Sequence, residues 1–167
     1  CSGKCTLEGV WGFECVHMQA ACPDEFGFIE VLKKSSMSDA HAALPNTGDF
    51  TNRICCKVEG ATLDTTCDNG DAFLELSSED DAHVEVPAEG GFTEPACMSI
   101  KETSRGAVIC GHSSGECDEG YSCVASVTSE SDAHIGECDD YDTKICCAVG
   151  MPVCGNGEVE FIEECDD

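Results

Sequence analysis

Asp-Ala-His occurs three times in this chain, as Asp39-Ala40-His41, Asp81-Ala82-His83 and Asp132-Ala133-His134. An aspartate beside a histidine is an acid–base couple, and imidazole is a common ligand for divalent metals. Nucleophilic catalysis would need a serine or cysteine within reach of the imidazole. Gly111-His112-Ser113-Ser114-Gly115 is not read as supplying one, and the metalloprotease pattern His-Glu-x-x-His is absent. A catalytic site usually occurs once per domain, whereas folding elements recur with each repeat. The expectation is therefore structural. Asp39, Asp81 and Asp132 close turns by bonding nearby backbone, and His41, His83 and His134 begin the following strands with a satisfied ring nitrogen. Metal binding is the alternative, and catalysis comes last, so the chain is expected not to be an enzyme.

The surrounding sequence repeats as well. Cys15 and Cys22 are matched by Cys110 and Cys117, each pair seven apart. His41 and His83 are followed four positions later by Pro45 and Pro87, and His134 by Cys138. An aromatic comes next in each case: Phe50, Phe92 and Tyr141. The copies end in Ile54-Cys55-Cys56, Ala96-Cys97-Met98 and Ile145-Cys146-Cys147. So many features in one order mark three related units, which divide the chain into 1–60, a reduced 61–105 and 106–150. Residues 124–128, 73–76, 83–86 and 143–149 have the β-branched or alternating character of strands. Polar clusters before each Ala-His favour turns. Each unit reads as a hairpin plus a third strand, with a short helical turn at most near 14–22. The expected fold is all-β, a disulfide-rich, sandwich-like body, followed by a tail from 151 to 167.

The cysteines bear on how such a body holds together. Leu, Ile, Val and Phe make up about one residue in five, a composition near the disordered class. Sixteen cysteines change that reading. No two have Cys-x-x-Cys spacing, which argues against zinc ribbons and thioredoxin-like pairs. An even, high count points to disulfides made in an oxidising compartment, hence an extracellular or cell-surface location. Comparison of the copies sorts the partners. Cys123 and Cys138 are present together in one copy and absent together from two, so they should pair. Cys55 and Cys56 should take Cys15 and Cys22, and Cys146 and Cys147 should take Cys110 and Cys117. The member-to-member assignment stays open. The reduced copy leaves Cys67–Cys97. For Cys1, Cys5, Cys154 and Cys165, local pairing is one reading and linkage between neighbouring molecules the other.

Charge limits the partners. There are 34 acidic and 8 basic residues, for a formal charge of -26. Nucleic acid and anionic membrane surfaces carry the same sign and are poor partners. No apolar run approaches the roughly 20 residues of a membrane-spanning helix. Hard cations such as calcium are the attractive partners. The clusters Asp64 with Asp68-Asn69-Gly70-Asp71, and Asp139-Asp140-Tyr141-Asp142, lack EF-hand spacing and read as a turn and a solvated loop.

The segment Val153-Cys154-Gly155-Asn156-Gly157-Glu158-Val159-Glu160-Phe161-Ile162-Glu163-Glu164-Cys165-Asp166 resembles the Cys-Gly-Asn-Gly-x-Val-Glu motif that opens disintegrin domains of secreted metalloproteases. It is also similar to cysteine-rich repeats of myxobacterial surface proteins. The resemblance covers about fourteen residues and implies a calcium loop. Asn156, Glu160, Glu163 and Asp166 would supply side-chain oxygens, and Val153 and Glu158 carbonyl oxygens. Six oxygens suit calcium, and carboxylates crowded this closely repel one another without a cation. Ile162 stands where the family usually has glycine, and the family's later cysteine partners have no counterpart after Cys165 in this sequence. These features together lead to an expected secreted, calcium-binding structural protein, with copies associating head to tail. The alternative is an extracellular binding module for a glycan or cell-surface ligand, with Trp11, Phe13 and Phe26 as its aromatic patch.

Overall fold

Short runs of apolar and β-branched residues, separated by polar clusters, set the strands of this protein. The computed structural model describes residues 12–67, 72–87, 89–101 and 106–150. In the first copy, β1 (Phe13–Met18), β2 (Ile29–Lys34), β3 (Ala42–Ala43) and β4 (Asn52–Val58) form an antiparallel sheet of order β1-β4-β2-β3. The middle copy contains β5 (Leu63–Asp64), β6 (Ala72–Leu76), β7 (Val84–Glu85), β8 (Glu94–Cys97) and β9 (Ser99–Ile100). Its strands split into a sheet of order β7-β6-β8 and the pair β5-β9. In the third copy, β10 (Ala107–Ser114), β11 (Ser122–Val127), β12 (Ile135–Gly136) and β13 (Thr143–Gly150) repeat the first order as β10-β13-β11-β12. The result is an all-β, disulfide-rich structure.

Residues 14–18, expected to carry at most a helical turn, lie in β1 instead. Cys15 faces Cys56 directly across the β1–β4 ladder, and this pairing prevails over a weak local pattern. A 3-10 turn follows at Asp24–Phe26 and ends at Gly27, whose φ of 78° favours a residue without a side chain. The reduced copy shortens this first strand. Leu63 pairs with Ile100 as Phe13 pairs with Val58 and Val108 with Val149. All six are buried, but β5 stops at Asp64 where β1 and β10 continue. Pro95 lies on the edge strand β8, the position that tolerates a residue without an N–H.

A register shift recurs at one place in every copy, between Glu30 and Leu32, Ala72 and Leu74, and Cys123 and Ala125. A bulge bends its strand and raises the local twist. The residues inside the bulges, Val31, Phe73 and Val124, are thereby turned into a shared core. That core also takes Leu32, Leu74 and Ala125, Ile54, Ala96 and Ile145, so each copy contributes the same layers.

Six disulfides staple the described residues. Cys15–Cys56 and Cys110–Cys147 each join facing residues of paired strands. Cys22–Cys55 and Cys117–Cys146 approach the same strands from the other face. Cys67–Cys97 and Cys123–Cys138 complete the set, as the copy comparison predicts. The open choice within each double cysteine is settled: the second member takes the nearer strand partner and the first takes the loop cysteine. In the middle copy, buried Met98 follows Cys97 where the outer copies have their second cysteine. Cys1, Cys5, Cys154 and Cys165 lie outside the described residues.

Candidate metal centre

Each Asp-Ala-His lies at the end of a turn built the same way. The backbone N–H groups of His41, His83 and His134 donate to the hydroxyls of Ser35, Ser77 and Thr128, at 3.0, 3.1 and 3.1 Å. The carbonyls of the same histidines accept from the N–H groups of Ser35, Ser77 and Thr128. Inside each turn another serine hydroxyl, of Ser36, Ser78 or Ser129, donates to a carbonyl two residues on. The aspartates carry the sharpest bend, with φ of 51°, 49° and 49° at Asp39, Asp81 and Asp132. Short polar side chains are among the few that tolerate this left-handed conformation.

Beyond the bend, the three turns join one another. Ala40 and Ile135 exchange N–H to carbonyl hydrogen bonds at 2.9 Å in both directions. Ala42 and Ala82 do the same at 2.8 and 2.9 Å, and Val84 and Ala133 at 2.9 and 2.8 Å. Each histidine thus sits between two bridges, one to each neighbouring copy, and the three backbone segments close into a ring. Ala40, Ala82 and Ala133 are buried beneath it, where the three segments meet. Alternation along extended backbone sends the histidines to the opposite, solvent-facing side.

There the imidazoles gather, with ring centroids 4.8, 5.0 and 4.8 Å apart and edges turned to faces. Every histidine receives an aspartate from a different copy. His41 Nδ1 lies 2.7 Å from Asp81, His83 Nδ1 2.6 Å from Asp132, and His134 Nδ1 2.7 Å from Asp39. A carboxylate only accepts, so Nδ1–H must donate in each pair. In the neutral ring the lone pair then resides on Nε2. The Nε2 atoms of His83 and His134 are 3.3 Å apart, and one ligand atom from each of the three rings lies within 4.8 Å of the others. The histidine side chains are 32–34% exposed and the aspartates 70–75%. His134 beside Asp39 holds that carboxyl below its usual pKa, assisted by the Tyr141 hydroxyl.

The expected roles of these residues change accordingly. The aspartate carboxylates serve a neighbouring copy's imidazole, and serine and threonine hydroxyls close the turns. A ring nitrogen of each histidine is satisfied as expected, and the rings also crowd together, with the Nε2 atoms of His83 and His134 in contact. The three copies meet at one point, so their three motifs form a single site rather than three. The signal was present in the sequence: equivalent residues of copies packed around one axis must converge. Ser113 has the Gly-x-Ser-x-Gly spacing but lies within β10, not at a strand-to-helix turn, and its hydroxyl donates to the Glu116 carbonyl. The proposed calcium ligands Val153, Asn156, Glu158, Glu160, Glu163 and Asp166 lie outside the described residues, as do Asp68, Asn69, Gly70 and Asp71. Of the suggested aromatic patch, Phe13 is in the core, Phe26 is 66% exposed, and Trp11 is not described.

No family model, curated protein or solved structure matches this chain.

A second polar group lies between the first and third copies. Lys34 is fully buried at a position where the other copies have Leu76 and Val127, all three pairing with β3, β7 or β12. Its ammonium donates to the Met37 carbonyl at 2.6 Å and to His17 Nδ1 at 2.7 Å, and His17 Nε2–H donates to the Val124 carbonyl at 2.8 Å. Burial pushes Lys34 down to about 8, and burial and then the Lys34 charge lower His17. A neutral His17 is the form that can accept from the lysine. This chain of bonds is a local polar tie between copies.

Proposed function

We propose that this is a secreted, disulfide-stapled structural protein of a cell surface or matrix, without enzymatic activity. Its copies associate head to tail, and calcium binds the 153–166 loop. The observation that best supports the structural reading is that covalent and polar ties recur with the copies. Disulfides brace each of them, and all three aspartate–histidine bonds run between them. Such cross-linking suits persistence in an oxidising exterior, where disulfides are stable. Among the described residues no helix is long and apolar enough to cross a membrane. The calcium proposal is supported by the motif resemblance and by the charge of -26.

Open-ended, head-to-tail contacts between identical subunits generate filaments when rotation does not close a ring. Electron microscopy of native material with calcium, with chelator and with reductant tests this directly. Filaments that lose order on chelation or reduction are expected, and dispersed single particles under all three conditions would overturn the proposal. The binding-module reading rests on exposed Phe26 alone. A single exposed ring is ordinary on protein surfaces, so the structural reading stands first.

A further inference from the structure

We infer that His41, His83 and His134 hold one divalent first-row transition-metal ion of the zinc class through their Nε2 atoms. The site follows from the tautomers. Three carboxylates fix three Nδ1–H donors, which leaves the three Nε2 atoms with lone pairs, in rings whose ligand nitrogens lie within 4.8 Å of one another. At 3.3 Å, the His83 and His134 lone pairs repel unless something positive lies between them. A proton can bridge one such pair and leaves the third imidazole unserved. A metal ion serves all three.

The dimensions agree with a tetrahedral ion. Zinc–nitrogen bonds of about 2.0–2.1 Å place neighbouring ligand nitrogens roughly 3.3–3.4 Å apart. The His83–His134 separation has that length already, and small ring rotations bring His41, within 4.8 Å, to the same distance. The carboxylate behind each imidazole is the arrangement that orients histidine ligands and raises their basicity. Three carboxylates also compensate the charge of a dication. Nitrogen donors select against calcium, which takes six to eight oxygens, so this site and the 153–166 loop would take different ions. With the rings about one-third exposed, the fourth ligand is water from the solvent side.

All three ligands come from different copies, so the ion would act as a clasp across them. This rests on the structural reading for its purpose but not for its chemistry. The experiment is titration of the oxidised, metal-stripped protein with cobalt(II) and zinc, followed by calorimetry and visible absorption. Expected are one ion per chain, the intense absorption of four-coordinate cobalt, and no competition from excess calcium. His83→Gln should abolish this binding, Asp132→Asn should weaken it about 10- to 100-fold, and His112→Gln should leave it unchanged. X-ray absorption on the wild-type zinc form provides a readout independent of variant folding, with a shell of three imidazole nitrogens expected. Binding that survives His83→Gln, a sulfur-containing shell, or no binding at one ion per chain would overturn the inference. Metal binding without filaments would instead count against the structural proposal alone.

Discussion

The ring of turns and the sheets beneath it follow different rules. At the ring the three copies agree nearly residue for residue: hydroxyl, left-handed aspartate, buried alanine, histidine. In the sheets they diverge. The middle copy has a shortened first strand and one disulfide, where the third copy has three. The first copy buries Lys34 where the others bury Leu76 and Val127. In the middle copy Glu75 faces Glu85 across paired strands, and the buried Glu75 Oε2 has no hydrogen-bond partner among the described residues. Threefold convergence demands likeness only where the copies meet. Elsewhere each copy needs only to fill its share of the core.

The contrast can be tested from its strongest point downward. Because Cys67–Cys97 braces the middle copy alone, Cys67→Ser with Cys97→Ser should cost about 3–4 kcal/mol, the chain-entropy value for its loop of 30 residues. Denaturant unfolding measures this, and a cost below about 1 kcal/mol would mean the neighbouring copies already hold that segment. Enlarging the ring's floor should come next. Ala82→Leu, at a residue 1% exposed, is expected to destabilise by about 1–3 kcal/mol through overpacking and to spread the histidines. The equivalent change at exposed Glu79 should be nearly silent in thermal melts.

Titration sharpens the comparison on the sheet side. Lys34 has its folded-state pKa near 8, below the ordinary 10.5. Between those values the unfolded chain holds more protons, so this group makes stability rise with pH. Lys34→Met should flatten that rise relative to wild type in urea midpoints taken from pH 8 to 10.5. An unchanged slope would show that the lysine reaches solvent. The smallest effect is expected at Glu75, where burial and then Glu85 raise the pKa. A raised carboxyl favours the folded state at low pH and loses that advantage as pH rises through its folded value. Glu75→Gln should therefore stabilise the protein slightly at neutral pH, and a loss in thermal unfolding would contradict this account.

Much of the fold was legible because cysteine pairing and strand character are written in short, comparable segments. The joint absence of Cys123 and Cys138 equivalents from two copies points to their disulfide from the sequence alone. Phe73–Leu76 and Thr143–Val149 read as strands from their side chains alone. The first strands of the outer copies were harder, since Phe13–Met18 gains its extended form from a ladder with residues some forty positions away. The site was the least legible. His41 meets Asp81 and His134 meets Asp39 only after the copies close around an axis, and local sequence carries no record of that closure. Reading each histidine with its own aspartate, as the motif invites, assigns every pair to the wrong partner.

The seam between Ala40 and Ile135 joins the first turn to the last, and the His134–Asp39 bond beside it spans 95 residues. Two turns can link as soon as both have emerged during synthesis, but the circle cannot be sealed until residue 135 is free to move. Contacts this distant in sequence form late because loop closure precedes any reward from them. A nascent chain therefore carries an incomplete ring until residue 135 has emerged, and only then can all three imidazoles come together.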